Sequence, residues 1–316
     1  MSDKRLVLVL CGATATGKTA LAVALAGLYR MEVISADARQ VYAGMEVGTA
    51  APTPEQLARV RHHAVAMLQP GTSWSAADFA RFAQSVIEAM PPTTLPVVVG
   101  GAGLYITALT DGLSPELEPT PARVRLAVQR IIDLEGKDAA WERLCAVDRA
   151  AAERYADRNP RRIQRALEYH ATTGRPISET WQHAPLEVPF ETIRVGLTMP
   201  RERLYSIINQ RCNAMLPRLL EETQALLGAG LSPSDQCMQT VGYAECVAYL
   251  AGSQSRAETL AQFQQSTRRY AKRQETWFKR DQRITWFDAL SPTLVSDVDA
   301  FLLQCGLHAY HLTGIP

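Results

Sequence analysis

No apolar run in this 316-residue sequence approaches the roughly 20 residues needed to cross a bilayer. The N-terminal "LVLVL" is too short for the apolar region of a signal peptide, and no cleavage site follows it. The expectation is therefore a cytoplasmic protein with no membrane partner. Cysteine is sparse. The six (Cys11, Cys145, Cys212, Cys237, Cys246 and Cys305) are scattered without a C-x-x-C pair, which argues against a zinc ribbon or a disulfide framework. Excess charge of either sign is missing too. With 33 Lys and Arg against 32 Asp and Glu, the net charge is +1. No global field draws in nucleic acid, so any such binding must come from local patches. Histidine offers no metal set. His62 and His63 are adjacent and do not face one site from a helix, and His308 and His311 lack a third partner. No internal repeat or low-complexity tract is present. What remains is ordinary globular composition, 47% hydrophobic and 21% charged, enough for one large domain or two modest ones with a real core.

The organisation follows from periodicity. Residues 6–10 read as a short buried strand, and a helix follows from about Lys18 to Tyr29. "EVISA" (32–36) is a second strand ending just before Asp37. Ser75 with Asp78 three residues on resembles a capping box, and Phe79, Phe82, Val86 and Ile87 continue it as a helical stripe. "LPVVVGG" is a third buried strand, broken at Gly100 and Gly101. Strands alternating with helices predict a parallel sheet covered on its faces, with ligands at the carboxyl ends of the strands. After the Pro-rich link "DGLSPELEPTPARV" the texture changes. Thr120 and Pro121 suit an N-cap and first helical residue, and helices are expected to about Thr173, with "GRP" as a break. "PFETIRVGLTM" (189–199) returns to strand character, and Pro200 to about Arg283 is mostly helical. The fold class is thus α/β: a core from residues 1–113 and 189–316 with a helical C-terminal part, interrupted by a helical insertion over 114–188.

Within this frame, "GATATGKT" matches G-x-x-x-x-G-K-[ST], comprising Gly12, Ala13, Thr14, Ala15, Thr16, Gly17, Lys18 and Thr19. Successive backbone N–H groups and a helix N-terminus make an anion nest. Lys18 adds a point charge, and Thr19 can hold Mg²⁺. The pattern speaks for phosphate and is silent about chemistry. "SADARQVY" sets Asp37, Arg39, Gln40 and Tyr42 after a strand, where Asp37 could be a metal ligand, a general base, a helix cap or a salt-bridge partner. "VVVGGAGLY" lacks the last glycine of a dinucleotide fingerprint. It permits close backbone approach to a ligand, or serves as a helix-start turn. Two basic clusters stand out: Arg158, Arg161, Arg162 and Arg165 in the insertion, and Arg268, Arg269, Lys272, Arg273, Lys279, Arg280 and Arg283 near the end. The second, read as one helix, is interleaved with Tyr270, Trp277 and Phe278 and contains only Glu275 and Asp281 as acids. Such clusters contact phosphates while aromatic faces stack bases, unless they are simply solvated helix faces.

In order, "GATATGKTALA", "ISADARQVYAGMEVGTAAP", "SWSAADF", "VVGGAGLYI", "RNPRRIQRALE", "QTVGYAE" and "STRRYAKRQETWFKR" resemble the tRNA dimethylallyltransferase (tRNA isopentenyl transferase) family, from about residue 5 to residue 287. The resemblance implies a P-loop-kinase-like core with a helical insertion. It implies transfer of a dimethylallyl group from dimethylallyl diphosphate to N6 of the adenine 3′ of the anticodon, in tRNAs reading U-starting codons, with Mg²⁺ required. The phosphates of the loop would then be the leaving group. By the same resemblance Asp37 is the catalytic base, Thr19 and Arg211 assist the diphosphate, and the anticodon stem-loop meets Asp37, Ala38, Arg39, Gln40, Ala102, Gly103, Arg125, Arg158, Asn159, Pro160, Arg161 and Arg162. The sequence departs from the family pattern at Ala38, where Ser is common, and at Ala102, where Thr or Ser is common. It also has Arg158 and Asn159 where Asn-Asp is expected. Arg125 is preferred to Arg123 for the arginine beyond the Gly-rich helix. The zinc finger of eukaryotic members is absent, and the chain is expected to act as a monomer. Prenylation of free AMP, a small-molecule P-loop kinase and a non-catalytic RNA-binding module are the alternatives.

Overall fold

The computed structural model describes residues 4–112, 120–182 and 188–312. The chain divides into two compact units, Met1–Thr110 with Pro189–Pro316, and Asp111–Val188. The first boundary falls three residues before the expected one at residue 113, and most of the Pro-rich link lies outside the described residues.

The first unit is built on six strands: β1 (Arg5–Gly12), β2 (Met31–Ala36), β3 (His62–His63), β4 (Leu95–Gly100), β5 (Phe190–Thr198) and β6 (Ile284–Asp288). They lie in the order β3-β2-β4-β1-β5-β6, and every pairing is parallel. Val7 to Leu10 and Leu95 to Val99 are buried on both faces, as the continuous apolar runs require. One face carries α1 (Lys18–Leu25) and α11 (Leu294–Gln304), which share a core with β1, β2 and β4. The remaining helices are α2 (Pro54–Arg59), α3 (Ala76–Ala89), α4 (Gly103–Thr110), α8 (Arg201–Gly228), α9 (Tyr243–Leu250) and α10 (Arg256–Phe278). The last three of these pack with the segment Val41–Met45 in a second core. Ser75 and Asp78 form the expected capping box at α3, and α1 stops at Leu25, one turn short of the expected end at Tyr29.

Register fixes the site. Cys11 pairs with Gly100, and Gly100 pairs with Ala36. Gly12, Asp37 and Gly101, the residues that follow, therefore leave three adjacent strands at the same level. Gly100 is obligatory here, because a Cβ would lie 2.1 Å from the Ala36 carbonyl oxygen.

The second unit contains α5 (Ala122–Val147), α6 (Arg149–Arg154) and α7 (Pro160–Thr173) around its own core of Val128, Leu144, Ile163, Ala166 and Ile177. Gly136, with φ +88°, breaks α5 into two helical pieces. The N-cap of α5 is Pro121, not Thr120. The Thr120 hydroxyl instead donates to Glu168 at 3.2 Å and accepts from Arg165, so its polar group is spent on α7. Asp148 caps α6 through Oδ1 (2.9 Å to Ala151 N) and accepts Ser178 N–H through Oδ2 at 2.9 Å.

Candidate active site

The loop from Gly12 to Thr19 has the backbone of an anion nest. Ala15 and Gly17 both have positive φ, +67° and +87°, and an alanine held in that region is a strained residue of the kind found at ligand sites. The Thr16 hydroxyl donates to the Ala13 carbonyl at 2.9 Å and the Lys18 ammonium donates to the same oxygen at 2.7 Å. Gly12 is fitted to β5, since a Cβ would meet the Leu197 carbonyl oxygen at 2.6 Å. One expected phosphate donor is already engaged: Thr14 N–H is bound by Gln274 Oε1 at 2.8 Å. Thr19, in the first turn of α1, is half-buried, and its hydroxyl makes no hydrogen bond to any described residue.

Asp37 leaves the end of β2 at the level where β1 passes into this loop. Its Oδ1 accepts the backbone N–H groups of Arg39 at 2.8 Å and Gln40 at 3.4 Å, which leaves Oδ2 without a hydrogen bond. Asp37 is felt by groups from four other elements. Burial pushes the Lys18 ammonium down to about 8, with Asp37 opposing and Arg211 reinforcing that shift. Burial also lowers the Arg211 guanidinium, with the Asp37 charge opposing. The Tyr270 and Tyr105 hydroxyls are pushed up, first by burial and in part by Asp37. One carboxylate therefore stands among a desolvated ammonium, a desolvated guanidinium and two neutral phenols. Cys11, below the loop, is pushed up to about 12 by burial, with Lys18 opposing, and stays an inert thiol.

Supporting residues that the sequence reading did not single out hold these groups. Gln274 is 5% exposed. Its Nε2 donates to the Gly101 carbonyl at 3.0 Å while its Oε1 holds Thr14, so α10 clamps the phosphate loop to the glycine turn. Periodicity could have found it, because Phe263, Thr267, Ala271, Gln274 and Phe278 form the buried stripe of α10 and a lone glutamine there needs partners. Glu222 accepts Val47 N–H and Gly48 N–H at 2.9 Å each and takes the Tyr243 hydroxyl at 2.6 Å. The same hydroxyl proton is shared with the Met45 carbonyl at 3.0 Å. "VGYAE" thus serves to pin the segment after Gln40. Gln40 itself accepts from Ser35 at 2.9 Å and donates to the Thr49 and Ala50 carbonyls at 3.3 Å, so its amide is committed to positioning that segment.

The glycine turn has a packing explanation. A Cβ on Gly101 would meet Gln274 Nε2 at 2.1 Å, and one on Gly103 would meet the Trp277 ring at 2.2 Å. Ala102 and Gly103 remain half-buried. The basic C-terminal stretch is not a single helix, because α10 ends at Phe278 and leaves Lys279, Arg280 and Arg283 beyond it. Phe278 is buried and offers no stacking face, whereas Trp277 is 43% exposed. Arg268 is bound to Asn209, and Arg283 to Asp281.

In the second unit Asn159 caps α7 by accepting the N–H groups of Arg161 at 3.1 Å and Arg162 at 3.4 Å, with Pro160 as the first helical residue. Arg158 and Arg162 pair with Asp138 and Asp157, and Arg161 is exposed. Arg123 and Arg125 are both exposed on the first turn of α5. Arg165 is bound to Thr120 and Glu168, inside its own unit.

The IPP transferase family model matches residues 40–281. The chain belongs to this family. It is 40% identical to tRNA dimethylallyltransferase 1 of Syntrophotalea carbinolica, an alignment covering 95% of this chain and 98% of that one. It is 41% identical to the tRNA dimethylallyltransferase of Geobacter sulfurreducens over 92% and 96%. Among solved structures, the full-length tRNA isopentenylpyrophosphate transferase of Bacillus halodurans superposes with a TM-score of 0.70 at 33% identity, covering 96% of each chain. A eukaryotic dimethylallyltransferase described as acting on tRNA gives a TM-score of 0.77 at 25% identity, covering 96% of this chain and 78% of that one. The family match spans the Asp37-following segment, the insertion and α10, and the parallel α/β core agrees with it. No helix among the described residues is long and apolar enough to cross a membrane.

Proposed function

We propose that the protein is a tRNA-prenylating transferase that moves a dimethylallyl group from dimethylallyl diphosphate to N6 of the adenine 3′ of the anticodon, in tRNAs reading U-starting codons. Membership of the family and the names of its relatives support tRNA prenylation. The observation that carries the chemistry is Asp37: one carboxylate with a free oxygen, electrostatically coupled to Lys18 and Arg211 across a phosphate loop.

An exocyclic adenine amine is a poor nucleophile because its lone pair is delocalised into the ring. It gains reactivity when a base takes its proton as the N–C bond forms. Asp37 suits that role through a division of labour: Oδ1 is fixed by two backbone N–H groups and Oδ2 is left to accept the N6 proton. At the other end, the bond from the allylic carbon to the diphosphate oxygen breaks, and negative charge builds on the leaving group. Lys18, the free amides of the nest and Arg211 would neutralise it in a desolvated pocket, where such contacts count for more than in water. The target base must leave its stack to reach a buried carbon. Arg158 to Arg162, with Arg125, and the segment Asp37–Gln40 with Ala102 and Gly103, would meet the anticodon stem-loop.

A diphosphate leaving group calls for a divalent cation, and Mg²⁺ is our choice. Among the described residues no group of three or more His, Cys, Asp or Glu side chains could hold a metal alone. The unengaged Thr19 hydroxyl fits an ion that keeps most of its waters and takes further ligands from phosphate oxygens. Thr19 would hold it, and the ion would share in neutralising the leaving group. We further read the protein as a cytoplasmic monomer.

Labelled dimethylallyl diphosphate, Mg²⁺ and either unmodified tRNA or AMP, incubated in parallel, test this reading. Label should appear in tRNA at the adenine beside the anticodon. Label in AMP alone would make it an adenylate prenyltransferase, and phosphate transfer from ATP would make it a kinase.

A further inference from the structure

Arg158 sits on the turn between α6 and α7 with a backbone φ of +48°. That is the left-handed region, which a side chain with a Cβ adopts only when its surroundings insist. Three contacts hold it. Its N–H donates to the Tyr155 carbonyl at 2.7 Å. Its guanidinium carbon lies 4.3 Å from the centroid of the Trp141 ring. Its Nη1 meets Asp138 Oδ1 at 2.8 Å. Asp138 and Trp141 are three residues apart on α5, so they lie on one face of the helix. The guanidinium carbon thus lies over the indole while one of its nitrogens meets the carboxylate. Both acid and base stay open to solvent, with side chains 43% exposed for Arg158 and 62% for Asp138.

The surrounding surface repeats the device. Arg154 lies 4.0 Å from the Trp181 centroid and Arg162 lies 5.8 Å from that of Tyr155. Trp181 and Tyr155 themselves meet edge to face at 6.0 Å. The Trp141 indole N–H is buried without a hydrogen-bond partner among the described residues. An unsatisfied donor is a cost that packing alone does not require, since a leucine or phenylalanine would fill the space without it.

We propose that Trp141 is a positioning residue for RNA docking: its ring holds the Arg158 guanidinium flat, with its donor edge outward, and Asp138 occupies that edge until an RNA phosphate displaces it. The fork of N–H donors that fits a carboxylate fits a phosphate equally well. The exchange leaves the stack intact because face and edge are separate. The unbound state is also protected, since Asp138 opposes non-specific anions. The inference rests on the reading that this unit binds tRNA.

The test is equilibrium binding of unmodified tRNA to the full-length protein across a salt series. Trp141→Leu should weaken binding about 2- to 5-fold, the equivalent of an exposed cation–π contact. It should also flatten the salt dependence as Arg158→Ala does, by part of the roughly 0.7–0.9 log unit expected per phosphate. The Trp141→Leu, Arg158→Ala double variant should be no weaker than Arg158→Ala alone, and Trp141→Phe should restore most of the affinity. Asp138→Asn should tighten binding several-fold, whereas Glu142→Gln, the same charge change on an exposed neighbour of α5, should not. Additive losses, or an unchanged salt slope in Trp141→Leu, would overturn the platform. Equal effects of Asp138→Asn and Glu142→Gln would overturn the exchange, and both of these surface variants remain measurable if Trp141→Leu fails to fold. If the wild-type protein binds no tRNA, the functional reading itself fails; if it binds and Arg158→Ala is weakened while Trp141→Leu is not, only this inference does.

Discussion

Gln274 donates through Nε2 to the Gly101 carbonyl at 3.0 Å and accepts the Thr14 N–H through Oε1 at 2.8 Å. One side chain on α10 thus joins the segments that follow β1 and β4. Gln274→Ala leaves a part-buried N–H and a buried carbonyl unpaired, at a cost of about 1–3 kcal/mol. The denaturation midpoint should fall accordingly. KM for dimethylallyl diphosphate should rise as the loop loosens. A lowered midpoint with an unchanged KM would mean that the clamp supports the fold alone.

The glycine turn makes a graded prediction. A Cβ at Gly100 collides with the backbone of β2, 2.1 Å from the Ala36 oxygen, while one at Gly103 meets the Trp277 side chain at 2.2 Å. Backbone in a paired sheet cannot yield, and a 43% exposed indole can. Gly100→Ala should therefore cost about 3 kcal/mol or more, and Gly103→Ala about 1 kcal/mol. Chemical denaturation of the two variants checks the order. Comparable losses would place the strain elsewhere.

Lys18 sets a pH limit. Burial holds its pKa down at about 8 in the free protein, far below the ordinary lysine value. On the proposed reading, the protonated amine is the form that would hold diphosphate. Affinity should therefore be full below that value and fall as pH rises through it, with proton uptake on binding because the bound anion raises the pKa. Titration calorimetry with inorganic diphosphate from about pH 6.5 to about pH 9.5 reads both. Lys18→Arg, which stays charged throughout, should remove the limb, and a wild-type affinity flat across that range would refute the assignment. Lys18→Ala should abolish prenyl transfer, and tRNA-stimulated ATP hydrolysis by the wild type would contradict the diphosphate reading.

Much of the core was legible because the signals are local. Continuous Val and Leu runs at 6–10 and 95–99 mark strands buried on both faces, and G-x-x-x-x-G-K-T requires a strand before it and a helix after it. β3 is two residues long and carries two histidines, His62 bonded to the Val60 carbonyl and His63 to Glu32, so periodicity had nothing to register. β6 was hidden by its flanks. The basic run before Ile284 reads as continuing helix, whereas α10 ends at Phe278 and the chain turns before pairing with β5 from Ile284. Lys18, Asp37 and Arg211 could be nominated from motifs, but their mutual coupling depends on the parallel register of β1, β4 and β2 and on where α8 crosses. Glu222 and Tyr243 were out of reach for the same reason. Their partners at Met45–Gly48 lie far off in sequence, and only the fold brings them together.

Asp37 is the most discriminating residue to change. Its Oδ1 is held by the N–H groups of Arg39 and Gln40, and Oδ2 is free. Asp37→Asn can keep an oxygen toward those two amides, so the turn should survive, but the amide nitrogen that replaces Oδ2 cannot take a proton. If Asp37 is the general base, single-turnover transfer should slow by about 10²–10⁴-fold while tRNA affinity changes little. Removing the carboxylate also removes a charge that props up protonated Lys18. The alkaline limb for diphosphate binding should therefore move to lower pH in this variant. The rival role, a ligand to Mg²⁺, predicts a different pattern: a raised metal requirement and recovery of much of the rate at high Mg²⁺. An Mg²⁺ titration of the single-turnover rate separates the two, and rescue of Asp37→Asn to near the wild-type rate would show that the carboxylate serves the metal and that the N6 proton goes elsewhere.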